Sequence, residues 1–162
     1  MVLIEIHIGI AEYGVTKAPY KLATLGLGSC VGVCLFDRTV LVAGMAHIML
    51  PDSTSFKAAT KPAKFADLGV PLLVRDMERL GARASRVQAK LAGGAQMFMS
   101  NDKSSVLNIG QRNVGAVKAA LSGFGIRILS EDVGGSVGRT IIFDSRTGEL
   151  SIRSLGKGTK VI

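Results

Sequence analysis

Two residues that can perform nucleophilic chemistry lie in one segment, Leu22 to Pro51. Cys30 follows a glycine-rich turn and begins an apolar run, and His47 interrupts a second apolar run. A thiol at the start of one strand and an imidazole on the next is the minimum set for a cysteine nucleophile and its general base. An unpaired polar group buried in a strand costs about 1–3 kcal/mol, which implies that the ring nitrogens of His47 are used. The pattern predicts Cys30 as nucleophile and His47 as base.

The turn before Cys30 can supply the remaining groups of such a site. Gly28 and Ser29 bring backbone N–H groups next to the thiol, where they can stabilise an oxyanion. A third group should orient the imidazole. No Asp or Asn is an obvious choice by proximity in the sequence. Thr24, in the strand before the turn, is a candidate through its hydroxyl or its carbonyl.

Simpler interpretations compete with this one. Buried cysteines and satisfied strand histidines are common, and Cys34, deep in an apolar run, is predicted to be a small core residue. His7 falls on the polar face of an alternating strand and is predicted to be exposed. Two cysteines four residues apart make no disulfide framework and lack the ligand spacing of a zinc site. We therefore expect reduced thiols and no metal.

Apolar spacing and glycines predict the elements that position these residues. A turn at Asp37–Arg38 separates two buried strands, and Thr24 belongs to a third. The predicted strands are Val2–Ile10, Leu22–Leu27, Val31–Phe36, Val40–Leu50, Arg86–Leu91, Ile126–Leu129, Thr140–Phe143 and Leu150–Ile152. The segment from Gly14 to Tyr20 is predicted to be a loop.

Helical spacing predicts two helices. The first lies between Phe65 and Leu80, ends at Gly81, and either kinks or begins near Pro71. The second begins at an Asn108 cap and stops at Gly123. A long loop from Ala92 to about Val106 precedes it, and its Gly93 and Gly94 are candidates for substrate contact. Seven or so strands, mostly hairpin-connected and antiparallel, with two helices predict an α+β fold in one domain, residues 1–162.

Composition limits the function classes. The net charge of +8 invites a nucleic-acid interpretation, but the basic residues are spread singly and aromatic residues make up only 5%. An acidic protein partner or a solvated face fits better. Gly26-x-Gly28-x-x-x-Gly32 has the wrong spacing for a dinucleotide fingerprint, and Gly156-Lys157 lacks the first glycine of a phosphate loop. No signal peptide or uncharged 18-residue span is visible, so we expect a soluble protein with no membrane insertion.

Five segments together resemble the CheD family of chemoreceptor glutamine deamidases. In sequence order they are TLGLGSC (24–30), GMAHIMLP (44–51), AKLAGGA (89–95), NIGQRN (108–113) and DVGG (132–135). The resemblance implies a layered α/β sandwich similar to deamidating-toxin cysteine hydrolases. It implies a triad of Cys30 as nucleophile, His47 as base and Thr24 as support.

The implied reaction is hydrolysis of glutamine side-chain amides to glutamate on the cytoplasmic helices of methyl-accepting chemotaxis receptors, with no cofactor. The resemblance also implies a cytoplasmic location and binding of the CheC phosphatase. Two alternatives stay open. One is a non-enzymatic adaptor that binds CheC and receptors, and the other is a different acyl-transfer enzyme, such as a peptidase or transglutaminase.

Overall fold

The computed structural model describes residues 4–54, 56, 61–97 and 108–162, which form ten β-strands and two α-helices. The strands are β1 (Glu5–His7), β2 (Tyr13–Lys17), β3 (Lys21–Leu27), β4 (Val31–Asp37), β5 (Val42–Ile48), β6 (Gln88–Gly93), β7 (Arg127–Val133), β8 (Arg139–Asp144), β9 (Leu150–Ser154) and β10 (Gly158–Val161). The helices are α1 (Ala66–Arg79) and α2 (Ile109–Gly123).

The strands form two five-stranded sheets. The outer sheet has the order β1-β3-β8-β9-β10, and the central sheet has the order β2-β5-β4-β6-β7. Among the described strands only the pairs β1–β3 and β6–β7 are parallel. The α+β class with mostly antiparallel strands is therefore confirmed. The expectation of mostly hairpin connections is wrong, because among the described strands only β4–β5, β8–β9 and β9–β10 are antiparallel pairs of consecutive strands.

The central sheet is buried on both faces. Val33, Leu35 and Ile48 on one face pack with the helices, whereas Cys34 and Met45 on the other face pack with the outer sheet. Every residue of β4 and β5 is buried. Burial on two faces explains why these strands read as nearly continuous apolar runs rather than as alternating ones. The layers are therefore helices, central sheet and outer sheet.

The hairpin of β4 and β5 sets the register of the site. Val31 pairs with Ile48, Gly32 with His47 and Cys34 with Met45. The connection runs through residues 38–41, next to the predicted Asp37–Arg38 turn. Since paired residues of antiparallel strands point to the same face, His47 and Met45 face the outer sheet together with Cys34.

Several predicted boundaries differ from the structure. The segment Gly14–Tyr20 is not a loop throughout, because Tyr13–Lys17 forms β2 and pairs with β5. The Arg86–Leu91 strand lies two residues later, at Gln88–Gly93. The last strand, β10, was not predicted. Residues 98–107 of the predicted loop lie outside the described residues.

Both helices lie where they are predicted, and each differs in one detail near its first residues. Helix α1 begins at Ala66, so Pro71 lies inside it, in the second turn. Its end is as predicted: Gly81 adopts a φ of 103° and its N–H bonds to the Glu78 carbonyl. Helix α2 ends at Gly123, as predicted, and Gly125, at a φ of 67°, follows it. Asn108 occupies the N-cap, but its side chain makes no capping hydrogen bond.

Candidate active site

His47 and Thr24 meet between the two sheets. His47 lies on central strand β5, and its backbone is also held by the β1–β2 connection, where its N–H donates to the Glu12 carbonyl at 3.0 Å. Thr24 lies on outer strand β3 and faces inward. Its Oγ1 lies 2.7 Å from His47 Nδ1. The structure thus brings together two residues that are 23 positions apart in the sequence.

The partners of Thr24 fix the tautomer of His47. The Thr24 hydroxyl donates to the Ile8 carbonyl at 2.7 Å, because a carbonyl can only accept. That bond uses the one hydroxyl hydrogen, so Oγ1 must accept from His47 Nδ1–H. In neutral imidazole only one nitrogen carries a proton, which leaves Nε2 with a free lone pair.

His47 Nε2 is poised to accept a proton. The side chain is fully buried, and Nε2 has no hydrogen-bond partner among the described residues. Burial lowers the pKa of the imidazole below its ordinary value, because the charged form is disfavoured away from water. The ring is therefore neutral at neutral pH and carries an available lone pair.

Cys30 lies just before β4, on the side of the sheet that His47 faces. Gly32, two residues later, pairs directly with His47, which makes Cys30 its diagonal neighbour. Diagonal neighbours in an antiparallel pair are about 7–8 Å apart, within reach of long side chains. Cys30 is half-buried, and desolvation raises the pKa of its thiol. The sulfur is thus a neutral thiol that needs a base to become nucleophilic.

A β-bulge separates Thr24 from the turn that carries Cys30. Thr24 pairs with Ile141 and Leu27 pairs with Arg139, so β3 holds one residue more than β8 in this interval. Gly26 has a φ of 66°, and Leu25 is 59% exposed. A bulge bends its strand and redirects its side chains. Here it lets Thr24 and Leu27 both face inward before the chain turns toward Cys30.

The carbonyl groups of Gly28 and Cys30 accept hydrogen bonds from the residues that directly follow β6. Gly28 O accepts from Ala95 N–H and Cys30 O from Gly94 N–H, each at 2.8 Å. Gly93 has a φ of 110°, and a Cβ there would lie 2.2 Å from Cys30 O. Gly93 and Gly94 are buried behind the turn. Their contact with a substrate remains a prediction.

The N–H groups of the same turn point the other way. In a planar trans peptide the N–H is opposite the preceding carbonyl, so the Ser29 and Cys30 N–H groups point away from β6 and α2. Neither donates to a backbone carbonyl in the part of the chain that the structure describes, and the Cys30 N–H interacts with its own sulfur. Two adjacent donors beside a thiol can stabilise an oxyanion.

Two buried polar side chains that the sequence did not single out support the turn. Asn113, fully buried on α2, donates from Nδ2 to Ser29 O at 3.0 Å and to Met49 O at 2.8 Å. Arg139 donates to Gly93 O at 3.2 Å and forms an ion pair with Asp132. The sequence could have pointed to Asn113 because this polar residue lies one turn before Val117, on the apolar face of the helix.

The other cysteine and histidine lie away from this arrangement. His7 is exposed beside Glu5, as its place on a polar strand face predicts. Cys34 is fully buried, and desolvation raises its pKa. Among residues 4–54, 56, 61–97 and 108–162, no group of three His, Cys, Asp or Glu side chains could hold a metal ion. No helix in these ranges is long and apolar enough to cross a membrane.

Comparison with known proteins identifies the family. A crystal structure of the hypothetical protein YfiH from Bacillus licheniformis aligns at a TM-score of 0.42 and 15% identity, over 74% of this chain and 51% of that one. This similarity is too low to assign a fold family or a function. The model of the family described as "CheD chemotactic sensory transduction" matches residues 49–154. That range begins after Thr24, Cys30 and His47.

Two relatives extend the match over nearly the whole chain. A protein of Desulforamulus reducens named "Probable chemoreceptor glutamine deamidase CheD" is 58% identical over 98% of this chain and 95% of its own length. A protein of Clostridium botulinum with the same name is 52% identical over 98% of both chains. The family model and the two relatives indicate the same family, and the chain belongs to the CheD family.

Proposed function

We propose that the chain hydrolyses the side-chain amide of glutamines on chemoreceptors to glutamate, with Cys30 as nucleophile, His47 as base and Thr24 as the group that orients the base. One observation carries the mechanism. Thr24 fixes the Nδ1–H tautomer of His47, so Nε2 has a free lone pair on a residue that is the diagonal neighbour of Cys30. The name that the relatives carry supports the choice of substrate.

In the first half-reaction His47 Nε2 takes the proton of the Cys30 thiol as Sγ attacks the carboxamide carbon. The carbonyl oxygen becomes an oxyanion, which the N–H groups of Ser29 and Cys30 stabilise. When the tetrahedral intermediate collapses, the imidazolium gives its proton to the departing nitrogen. Ammonia leaves, and a glutamyl thioester remains on Cys30.

In the second half-reaction water replaces ammonia at the same carbon. Nε2 takes a proton from the attacking water, and the same N–H groups stabilise the second oxyanion. Collapse expels the Cys30 sulfur, which recovers its proton from the imidazolium. The products are a glutamate side chain and the starting thiol. No step needs a metal or an organic cofactor.

The test is mass spectrometry of a purified receptor cytoplasmic fragment treated with this protein in water labelled with heavy oxygen. Deamidation predicts one labelled oxygen at a glutamine that becomes glutamate, together with released ammonia. A chain cut would indicate a peptidase, and an amine adduct would indicate a transglutaminase. Either result, or an unmodified fragment, would contradict the proposal.

The proposal includes a cytoplasmic location, because the proposed substrate is the cytoplasmic helices of receptors. It also includes CheC as a second partner. The net charge of +8 supports binding to an acidic protein surface. Such binding should weaken between low and physiological ionic strength, because salt screens exposed charges beyond about 8–10 Å. Binding that does not respond to salt would contradict this charge argument.

A non-enzymatic adaptor is the competing function. The Cys30→Ala variant separates the two, because an adaptor would keep partner binding and signalling while a deamidase would lose ammonia release. An unchanged receptor response from this variant would favour the adaptor.

A further inference from the structure

The turn that carries Cys30 and the end of the strand that carries His47 share one hydrogen-bond donor. Val31 and Ile48 form the last residue pair of the β4–β5 ladder at this end. Beyond it the two chains separate toward Cys30 and Met49. The Nδ2 group of Asn113 lies at this point and donates to Ser29 O at 3.0 Å and to Met49 O at 2.8 Å.

The orientation of the Asn113 amide is fixed by these two bonds. Nδ2 has two hydrogens, and each carbonyl accepts one. Oδ1 therefore points away from both carbonyls, and it is buried without a hydrogen-bond partner among the described residues. An unpaired buried acceptor is destabilising, so simple packing of α2 against the sheet does not account for an asparagine here. A leucine of similar size would suit the apolar face of α2 better.

The rest of α2 touches the turn only indirectly at this end. Gly110, one turn earlier, lies against the carbonyls of Gly94 and Ala95, where a Cβ would approach within 2.6 Å and 2.5 Å. The N–H groups of Gly94 and Ala95 in turn hold Cys30 O and Gly28 O. Asn113 alone, among the described residues of α2, bonds both the turn and the chain that follows His47.

We infer that Asn113 is a positioning residue that holds the Cys30 turn in register with the His47 strand. Among the described residues it forms no hydrogen bond with the Cys30 sulfur or the His47 imidazole, and it acts through the backbone on each side of them. A displacement of reacting groups by 1 Å can lower a rate by about 10²-fold. Loss of the two bonds should therefore act on kcat rather than on KM, because the surface that meets the receptor is unchanged.

The experiment compares Asn113→Leu with Val117→Ala in the full chain. Val117 is buried on the same face of α2 one turn later, and its truncation loosens the helix without removing a bond to the turn. We expect Asn113→Leu to lower kcat for ammonia release about 10²-fold with KM nearly unchanged. Val117→Ala should keep kcat within a few fold at a comparable loss of thermal stability. Asn113→Ser is the second variant, with the same expectation, for the case in which leucine prevents folding.

A second readout does not depend on the receptor. Iodoacetamide alkylation of Cys30 across pH 5–9 reports whether His47 assists the thiol. Asn113→Leu should give the pH profile of His47→Gln, and Val117→Ala should give that of the wild type. This inference rests on the proposed site but can fail separately. If wild type releases no ammonia, the proposed function is wrong, whereas the alkylation profiles still decide the role of Asn113.

Two results would overturn the inference. One is a wild-type alkylation profile and a wild-type kcat in a folded Asn113 variant. The other is an equal loss of kcat in Val117→Ala, which would mean that helix packing in general, and not these two bonds, maintains the site.

Discussion

Cys30, just before β4, and Cys34, within it, face the same side of the central sheet, four residues apart, in two very different surroundings. Cys34 lies in the middle of the layer between the sheets, across from Met45 and next to Lys90, and is fully buried. Cys30 lies where that layer opens, half-buried and diagonal to His47, beside two N–H groups that donate to no backbone carbonyl among the described residues. Burial raises the pKa of both thiols. The comparison indicates that neighbouring groups and access, rather than a lowered thiol pKa, distinguish a reactive cysteine from a core residue here.

The strongest test of this comparison is alanine at each position. Cys30→Ala should lower ammonia release by more than about 10⁴-fold, because the other thiol, Cys34, is fully buried and has no neutral imidazole beside it. Cys34→Ala should leave kcat within a few fold and lower the free energy of unfolding by about 1 kcal/mol through lost packing. Activity assays of both variants measure the effect on ammonia release, and urea denaturation measures the effect on the free energy of unfolding. Equal loss of activity in the two variants would remove the distinction.

The second test removes the base. His47→Gln should lower kcat by about 10²- to 10⁴-fold, the range that a general base contributes. The wild-type rate should fall on the acid side with a midpoint below pH 6.5, since burial lowers the pKa of His47 and protonation blocks Nε2. The pH profile of kcat/KM measures this midpoint. His7→Gln is the matched control, because His7 is the other histidine and is exposed. A wild-type rate in His47→Gln would contradict the role of the imidazole.

The residues of this site could be predicted from the sequence because they lie on or beside long buried strands. The β4–β5 hairpin is apolar, ends in clear turns and places Cys30 and His47 on neighbouring strands. Thr24 was a candidate, but its two bonds were not predictable. Ile8 O reaches it from the neighbouring chain of the outer sheet, and His47 Nδ1 reaches it from the central sheet. Such contacts depend on strand order and sheet stacking, which local periodicity does not encode.

The missed elements are short or depend on distant contacts. Strand β2 contains Gly14 and is followed by Pro19, so it has the composition of a loop, although Tyr13 and Val15 pack against the helical core. Strand β10 has four exposed residues and pairs only with β9 among the described strands. Asn113 is recognisable only as a polar residue on an apolar helix face. Its acceptors are 84 and 64 residues away in the sequence.

The third test concerns the tautomer. Thr24→Val keeps the shape but removes the acceptor for Nδ1–H, so the ring can turn or place its proton on Nε2. We expect kcat to fall about 10- to 10²-fold, and Thr24→Ser should restore most of it. Thr16→Val is the control, because Thr16 is also a buried strand threonine, and among the described residues its hydroxyl bonds only to the Lys17 carbonyl. Equal rates in the two valine variants would show that the Thr24 hydroxyl is not used.

The smallest expected effect is on the pH dependence of stability. This dependence should come from His47 and not from Cys34. The pKa of His47 is lowered in the folded state, so the unfolded state binds the proton more tightly. The free energy of unfolding should therefore be largest above pH 6.5 and decrease as the pH falls through that value toward the folded pKa, by about 1.4 kcal/mol for each unit of pKa difference. His47→Gln should lose this slope, whereas Cys34→Ala should keep it, because a thiol does not titrate in that range. Urea denaturation at several pH values between 5 and 8 measures both slopes. A slope that persists unchanged in His47→Gln would mean that other groups cause it and that the imidazole is not held neutral by burial.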